Sequence, residues 1–347
     1  MNVVGIADLF APQTVMRAAL ATLEPSRLDV IDWPNQDIQQ LHHRVRRIER
    51  DGPDTDEPPP ALWSLLDDVE LIVTHMCPIG TEVIRRAPKL RTIGVCRAGT
   101  ETIAMDAAEA RGIRVVRVPG RNAVAVAEYA VGMILAERRN IARAHHAIAA
   151  GGWRKDFTNS AQESELAGKI VGLVGFGAIG RLVVQRLEPF GVELLVHDPF
   201  QSTQDVEACG CRCAALDELL TRSDVVSLHA RRDPGEPPLI GPRELALMKP
   251  TACLINTARA YLVDTDALID ALSQRRISGA ALDVFEEEPI DPDSPLRRLD
   301  NVTLTPHLAG STREAFRRSP QMLVDMIKED RTESDEATKG RSDEGEG

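Results

Sequence analysis

The sequence predicts an α/β protein made of two doubly wound parallel-sheet units, the second inserted in the first. Three observations predict it. Short apolar runs alternate with amphipathic segments along most of the 347 residues, an order that sets parallel strands between helices. A second series of such strands begins at Lys169, and a glycine-rich turn follows its first member directly. The last periodic helix, Thr312 to Lys328, comes after that series, so the second unit is an insertion if this helix packs back on the N-terminal part.

In order, Asn2 to Ala7 reads as an apolar strand, Pro12 to Leu23 as a helix, Leu28 to Trp33 as a strand, and Gln36 to Arg50 as a helix rich in Arg and Gln. The stretch 51–60, with four prolines and four acidic residues, suits a surface loop. Leu71 to Thr74 and Thr92 to Cys96 are strands flanking a helix at Thr81 to Arg86. One long helix is expected from Ala123 to Ala150, ending at Gly151-Gly152. Lys169 to Val174 is the next strand, Ile179 to Glu188 a helix, and Val192 to His197 a strand. Four more strands are expected at Val225 to Leu228, Ala252 to Asn256, Gly279 to Leu282 and Val302 to Thr305, with helices between.

Composition narrows the function. A net charge of −12 argues against a nucleic-acid partner, which needs an excess of Lys and Arg. Residues 329–347 carry eight acidic against three basic side chains and no apolar period, so 331–347 is expected to be a disordered acidic tail. No stretch is apolar and long enough for a membrane span, and a cytoplasmic protein is expected. Cys209, Cys211 and Cys213 alternate without a second ligand pair, so reduced thiols and no metal site are expected.

The turn Gly175-Phe176-Gly177-Ala178-Ile179-Gly180 joins an apolar strand to a helix. Its first glycine permits the tight turn, its second lets a pyrophosphate approach the backbone, and its third allows close helix–strand packing. Free N–H groups of the helix N-terminus then face the phosphates. Adenosylmethionine-dependent methyl transfer uses a similar turn. Asp198, eighteen residues after Gly180, can accept from both ribose hydroxyls and would repel a 2′-phosphate, which favours NAD over NADP.

Three further segments lie just beyond strands: Asn256-Thr257-Ala258-Arg259-Ala260, Asp283-Val284-Phe285-Glu286-Glu287-Glu288-Pro289, and Pro306-His307. Open parallel sheets bind ligands beyond the carboxyl ends of their strands. An Arg that holds a carboxylate, a His that moves a proton and a carboxylate that stabilises the imidazolium suit hydride transfer to a 2-keto acid. Taken singly, each is compatible with an ordinary surface or structural residue.

These motifs resemble the D-isomer-specific 2-hydroxyacid dehydrogenase family, which includes phosphoglycerate dehydrogenase, D-lactate dehydrogenase and glyoxylate/hydroxypyruvate reductase. The resemblance covers roughly residues 70 to 328, and also takes in Ser227-Leu228-His229, Leu247 to Pro250 and the stretch from Pro119-Gly120-Arg121-Asn122 to Ala127-Glu128. It implies a Rossmann NAD domain at 119–307, inserted in a flavodoxin-like substrate domain of 1–118 and 308–330. It implies Arg259, Glu288 and His307 as the catalytic set, with Glu286 and Glu287 as bystanders. It further implies NAD contacts from Gly175, Gly177, Ala178, Ile179, Gly180, Asp198, Thr257, Ala258, Arg259, Asp283, His307 and Gly310. The implied substrate is a small D-2-hydroxy or 2-keto acid, and the long helix after residue 120 implies a homodimer.

The chain departs from the family in its substrate loop, Arg97-Ala98-Gly99-Thr100-Glu101-Thr102-Ile103-Ala104, where Glu101 replaces a glycine and Ile103-Ala104 an Asp-Asn pair. Gly99 preserves an amide grip, so Arg97, Ala98 and Gly99 are expected on the substrate side together with Arg259. His75, at the end of the preceding strand, is a weaker candidate for the pocket, and a surface or capping place is favoured for it. The other readings are an NADH-sensing corepressor-like binding protein of the same fold and a phosphite or formate type of dehydrogenase. Glu288 argues against formate, for which Gln stands at that place.

Overall fold

The computed structural model describes residues 1–160, 164–233 and 235–343, with side chains described to residue 329. The chain divides into two compact units, residues 1–121 with 312–347, and residues 122–311.

The first unit begins β1 (Asn2–Ala7), α1 (Gln13–Ala21), β2 (Arg27–Asp32), α2 (Ile38–Asp51), β3 (Leu71–Thr74), α3 (Thr81–Arg86), β4 (Thr92–Val95), α4 (Met105–Ala110) and β5 (Arg114–Arg117). Its five strands are parallel in the order β2-β1-β3-β4-β5, the flavodoxin-like arrangement. Neither α4 nor β5 was expected from periodicity. β5 is an edge strand of sequence Arg-Val-Val-Arg with only Val116 buried, so it carries no apolar run to be noticed.

The second unit opens on α5 (Ala123–Arg138) and α6 (Ile141–Ala149). It continues with β6 (Ile170–Val174), α7 (Ala178–Leu187), β7 (Glu193–His197), α8 (Thr203–Glu207), β8 (Arg212–Cys213), α9 (Leu216–Arg222) and β9 (Val225–Leu228). It ends with α10 (Pro242–Leu247), β10 (Cys253–Asn256), α11 (Thr265–Ser273), β11 (Gly279–Leu282) and β12 (Val302–Leu304). The seven strands run β12-β11-β10-β9-β6-β7-β8, all parallel, the Rossmann order with one strand more. Cys213 closes the short β8 while Cys209 and Cys211 lie before it, so the three cysteines do not share one extended strand. No group of three metal-ligating side chains occurs among the described residues.

The single helix expected from Ala123 to Ala150 is two helices. Asn140 adopts φ +55, the left-handed conformation that a short amide side chain tolerates, and the chain turns there. The turn lets Arg143, on α6, reach back to Glu137, on α5. Both oxygens of Glu137 accept from the Arg143 guanidinium at 2.8 and 2.9 Å, and Thr303 donates its hydroxyl to the same carboxylate at 2.8 Å. Arg143 also donates to the Asn140 side chain at 2.9 Å and to the Asp300 carbonyl at 2.6 Å. Glu137 is 1% exposed, and burial raises its carboxyl pKa although Arg143 and Thr303 oppose the shift. α5 is buried along most of its length and α6 has no buried residue, so the break separates a core helix from a surface one.

The final helix, α12 (Arg313–Asp343), belongs to the first unit and packs against α1 and β5. Its Leu323, Val324 and Ile327 join Met16 and Leu20 in one buried cluster. Gly94 makes room for it, since a Cβ there would lie 2.7 Å from Leu323 Cδ2. The acidic tail expected at 331–347 falls where side chains lie outside the described residues, as do 344–347 altogether.

Removing one member of a buried ion pair strands the other, at a cost of about 3–5 kcal/mol. Glu137→Ala should destabilise the chain by roughly that amount in urea unfolding. A loss below about 1 kcal/mol would mean that water compensates Arg143.

Candidate functional site

The candidate site grows from one row of residues in the second unit. Hydrogen-bonded register aligns His197, Val174, Leu228, Asn256, Leu282 and Leu304 across six neighbouring strands. Each is the last residue of its strand, so the six following loops leave the sheet on the same edge. Strand order reverses between β6 and β9, and this switch point is where such sheets leave a crevice.

The loop after β6 fits a dinucleotide residue by residue. Gly175 has φ +100, and a Cβ there would lie 2.6 Å from the His229 carbonyl carbon. A Cβ at Gly180 would strike the Gly175 carbonyl, so this glycine lets α7 sit close to β6. Gly177 faces open space, and a side chain there would fill the place a pyrophosphate approaches. No side chain caps α7, which leaves the amides of its first turn, Ala178, Ile179 and Gly180, free for an anion.

Asp198, after β7, accepts from the Phe176 amide at 2.7 Å and from the Phe200 amide at 2.9 Å, one on each oxygen. A carboxylate has about four lone-pair sites, so two stay available for ribose hydroxyls. Beside it lies a cavity of about 390 Å³, lined by His197, Asp198, Pro199, Thr203, Cys213 and Ala214, among others. The β8–α9 side of this cavity was not foreseen, because alanine and cysteine carry no motif. Arg181, on α7, stacks 4.6 Å from the Phe176 ring centroid and donates to Gln201 at 2.6 Å. At the end of β9, Ser227 Oγ and His229 Nε2 are 3.0 Å apart, and desolvation brings the His229 pKa down to about 4, which makes its imidazole neutral.

After β10 the Asn256 side chain shapes the next turn. It accepts from the Ala258 amide at 3.0 Å and donates to the Arg259 carbonyl at 2.9 Å. Thr257 is buried, and its hydroxyl has no partner among the described residues. The Arg259 side chain is exposed and donates to the Ala258 carbonyl at 2.7 Å, so most of its donors stay available.

Asp283, after β11, is fully buried. It accepts from the Thr305 hydroxyl at 2.6 Å and from the Leu308 and Ala309 amides at 2.9 and 2.8 Å. These bonds hold the turn that carries His307, which has φ +54, an unusual conformation for a residue with a β-carbon. The same turn brings Gly310 against the Asn122 amide, where a side chain would clash. His307 Nδ1 lies 2.8 Å from Glu288 Oε2 and 3.0 Å from Oε1, and the Phe285 amide steadies Glu288 at 3.2 Å. Glu286 is engaged elsewhere, accepting from the Thr265 hydroxyl at 2.7 Å.

In the first unit, the loop after β4 holds Arg97, Ala98 and Gly99. Arg97 pairs with Glu49, and the Ala98 carbonyl accepts from Arg117 at 3.5 Å. The Glu101 carboxylate folds over Gly99, its Cδ 2.6 Å from where a Cβ would be. His75 is not a surface or capping residue. It is wholly buried, with Nδ1 3.0 Å from Asp8 Oδ2, because β1 and β3 are neighbours and both point their ends at this spot.

The chain is similar to known proteins. A match to the D-isomer specific 2-hydroxyacid dehydrogenase, NAD binding domain, spans residues 131–309. The chain is 39% identical to a D-3-phosphoglycerate dehydrogenase of Archaeoglobus fulgidus over 74% of its own length and 47% of that relative. It is 41% identical to a glyoxylate reductase of Thermofilum pendens over 77% of its length and 80% of the relative. It spans about half the length of the phosphoglycerate dehydrogenases it matches. The crystal structure of an NAD-dependent formate dehydrogenase from Staphylococcus aureus in complex with NAD superposes with a TM-score of 0.67 at 27% identity, over 94% of each chain. The chain therefore belongs to the D-isomer specific 2-hydroxyacid dehydrogenase family.

Proposed function

We propose that this chain is an NAD-dependent oxidoreductase that interconverts a small D-2-hydroxy acid and its 2-keto acid. The observation that carries the reading is the His307–Glu288 pair, 2.8 Å apart at the edge of the sheet where a dinucleotide fits. The nicotinamide, when bound, supplies or takes up the hydride. His307 Nε2, the ring nitrogen turned away from Glu288, gives a proton to the carbonyl oxygen in reduction and takes it from the hydroxyl in oxidation. Glu288 fixes the ring tautomer by accepting from Nδ1 and stabilises the imidazolium formed in oxidation. Arg259 holds the carboxylate of the acid, with a fork that Lys cannot copy. The amides of Ala98 and Gly99 and the Arg97 guanidinium contribute to binding the acid.

General acid–base catalysis contributes typically 10²–10⁴-fold, so His307→Ala should lower kcat by about that factor on any accepted acid. Glu288→Gln should cost less, since the ring stays in place. Turnover by His307→Ala at the wild-type rate would end the proposal. NADH binding without turnover on any 2-keto acid would support a sensor instead.

We infer NAD rather than NADP because the Asp198 carboxylate keeps two acceptor sites beside the cavity and would repel a 2′-phosphate. A hydrogen bond to a charged group is worth about 1.5–3 kcal/mol, so Asp198→Ala should raise the KM for NADH about tenfold or more and narrow the gap to NADPH. Preference for NADPH by the unaltered chain would refute this.

A homodimer is supported by α6 and the segment after it, where Ile141, Ile148 and Trp153 are 55%, 59% and 79% exposed. Light scattering should give twice the chain mass, and Ile148→Asp should shift the species toward monomer. A wild-type monomer at micromolar concentration would contradict it.

A further inference from the structure

Cys209, Cys211 and Cys213 crowd into one short stretch of the second unit as free thiols, and the chemistry above uses none of them. Ala208 to Cys211 is the whole connection between α8 and β8. Both elements line the cavity beside Asp198, α8 through Thr203 and β8 through Cys213. A change in the path of this connection therefore acts on the cavity wall directly.

The chain bends at Gly210, which has φ +73 and open space around it, a conformation that glycine adopts without strain. Extended chain spans at most about 3.3–3.6 Å per residue, so a bent path over one glycine leaves the two flanking Cα atoms within the ~4.4–6.8 Å that a disulfide needs. The Cys211 thiol turns back toward Cys209 and donates to its carbonyl oxygen at 3.7 Å. Cys213 is held otherwise, because Arg212 and Cys213 pair in register with Leu195 and Val196.

The two thiols of the bend differ in their surroundings. Cys209 is exposed, and Arg181 Nη1 donates to its Sγ at 3.5 Å. Cys211 is 6% exposed, and burial, followed by the Cys209 sulfur, pushes its thiol pKa up to about 11. An exposed sulfur meets oxidants first, and a protonated thiol beside it is placed to close the bond afterwards. Arg181 also braces both walls of the cofactor site, since it stacks on Phe176 of the glycine turn and donates to Gln201 beyond Asp198.

We propose that Cys209 and Cys211 form a dithiol–disulfide pair that governs entry of the dinucleotide into the cavity beside Asp198. The oxidant is hydrogen peroxide. The Cys209 thiolate attacks one peroxide oxygen, the O–O bond breaks, and a sulfenic acid forms while the departing hydroxide takes up the thiol proton as water. The Cys211 sulfur then attacks the sulfenic sulfur, the S–S bond forms as the S–O bond breaks, and a second water carries off the Cys211 proton. The two thiols together lose two electrons and two protons, and one peroxide becomes two waters. Closing the ring draws Cys211 out of the buried cluster it shares with Val196 and Val206, and it ends the Arg181 contact to a free thiol. The effect on the dinucleotide rests on the NAD reading, whereas the thiol pair itself does not.

The test has two arms. The reduced full chain is treated with hydrogen peroxide, and the peptide holding Cys209 to Cys213 is weighed before and after dithiothreitol. It should lose the mass of two hydrogens and regain it. Cys213→Ser should do the same, whereas Cys209→Ser, a change at an exposed position, and Cys211→Ala should not form the bond. A peptide that keeps both hydrogens, or a bond that survives Cys209→Ser, overturns the pair. NADH binding is then measured by calorimetry on the reduced and the oxidised chain. The oxidised chain should bind about tenfold more weakly or worse, with recovery in dithiothreitol, and peroxide-treated Cys209→Ser should bind like the reduced wild type. Equal affinity of the oxidised and reduced wild type overturns control of the cavity. A reduced chain that binds no NADH defeats the NAD reading alone, and the mass of the peptide still decides the pair.

Discussion

The candidate site of the second unit depends on one register of parallel hydrogen bonds. Because Val174, Leu228, Asn256, Leu282 and Leu304 pair in a single row, five loops of unrelated sequence emerge together. A slip by one residue would invert every side chain of a strand between the two faces of the sheet. The register is held because the strands β9, β10 and β11 are buried on both faces, so any slip would expose apolar surface or bury polar loop residues.

Two buried carboxylates convert this frame into a rigid support. Asp283 collects a hydroxyl and two amides from the turn after β12, and this offsets the unfavourable φ of His307. A turn so held presents the imidazole to Glu288 without help from a ligand. Glu137 does comparable work beside β12, where it ties the α5–α6 break to Thr303 in the middle of that strand. Both carboxylates accept from several donors at once, and that is what makes such a group tolerable at this depth.

The first unit answers a different need. Its sheet brings the ends of β1 and β3 side by side, and so pairs Asp8 with His75 across 67 positions of sequence. The pairing is internal and satisfied, but the far side of the imidazole and two guanidinium edges are not.

Local pattern alone determined much of this protein. Strand and helix periods, the glycine turn with Asp198, and the placement of Arg259, the carboxylates at 286–288 and His307 just beyond strands are legible, because each follows from short-range geometry: two-residue and 3.6-residue repeats, glycine turns, and loops that directly follow strands. Glu288 could be chosen over its two acidic neighbours only by its place before Pro289 in a familiar motif. Tertiary structure decided the rest. The break at Asn140 is marked in the sequence only by that asparagine, and the contacts that hold it, from Glu137 to Arg143 and to Thr303, the latter 166 positions away, are tertiary. β5 is unremarkable until β4 offers it an edge. His75 looked like a surface residue because nothing within its own segment reveals Asp8, Arg97 or Phe316. Burial and long-range pairing are properties of the folded sheet, so no local window of sequence contains them.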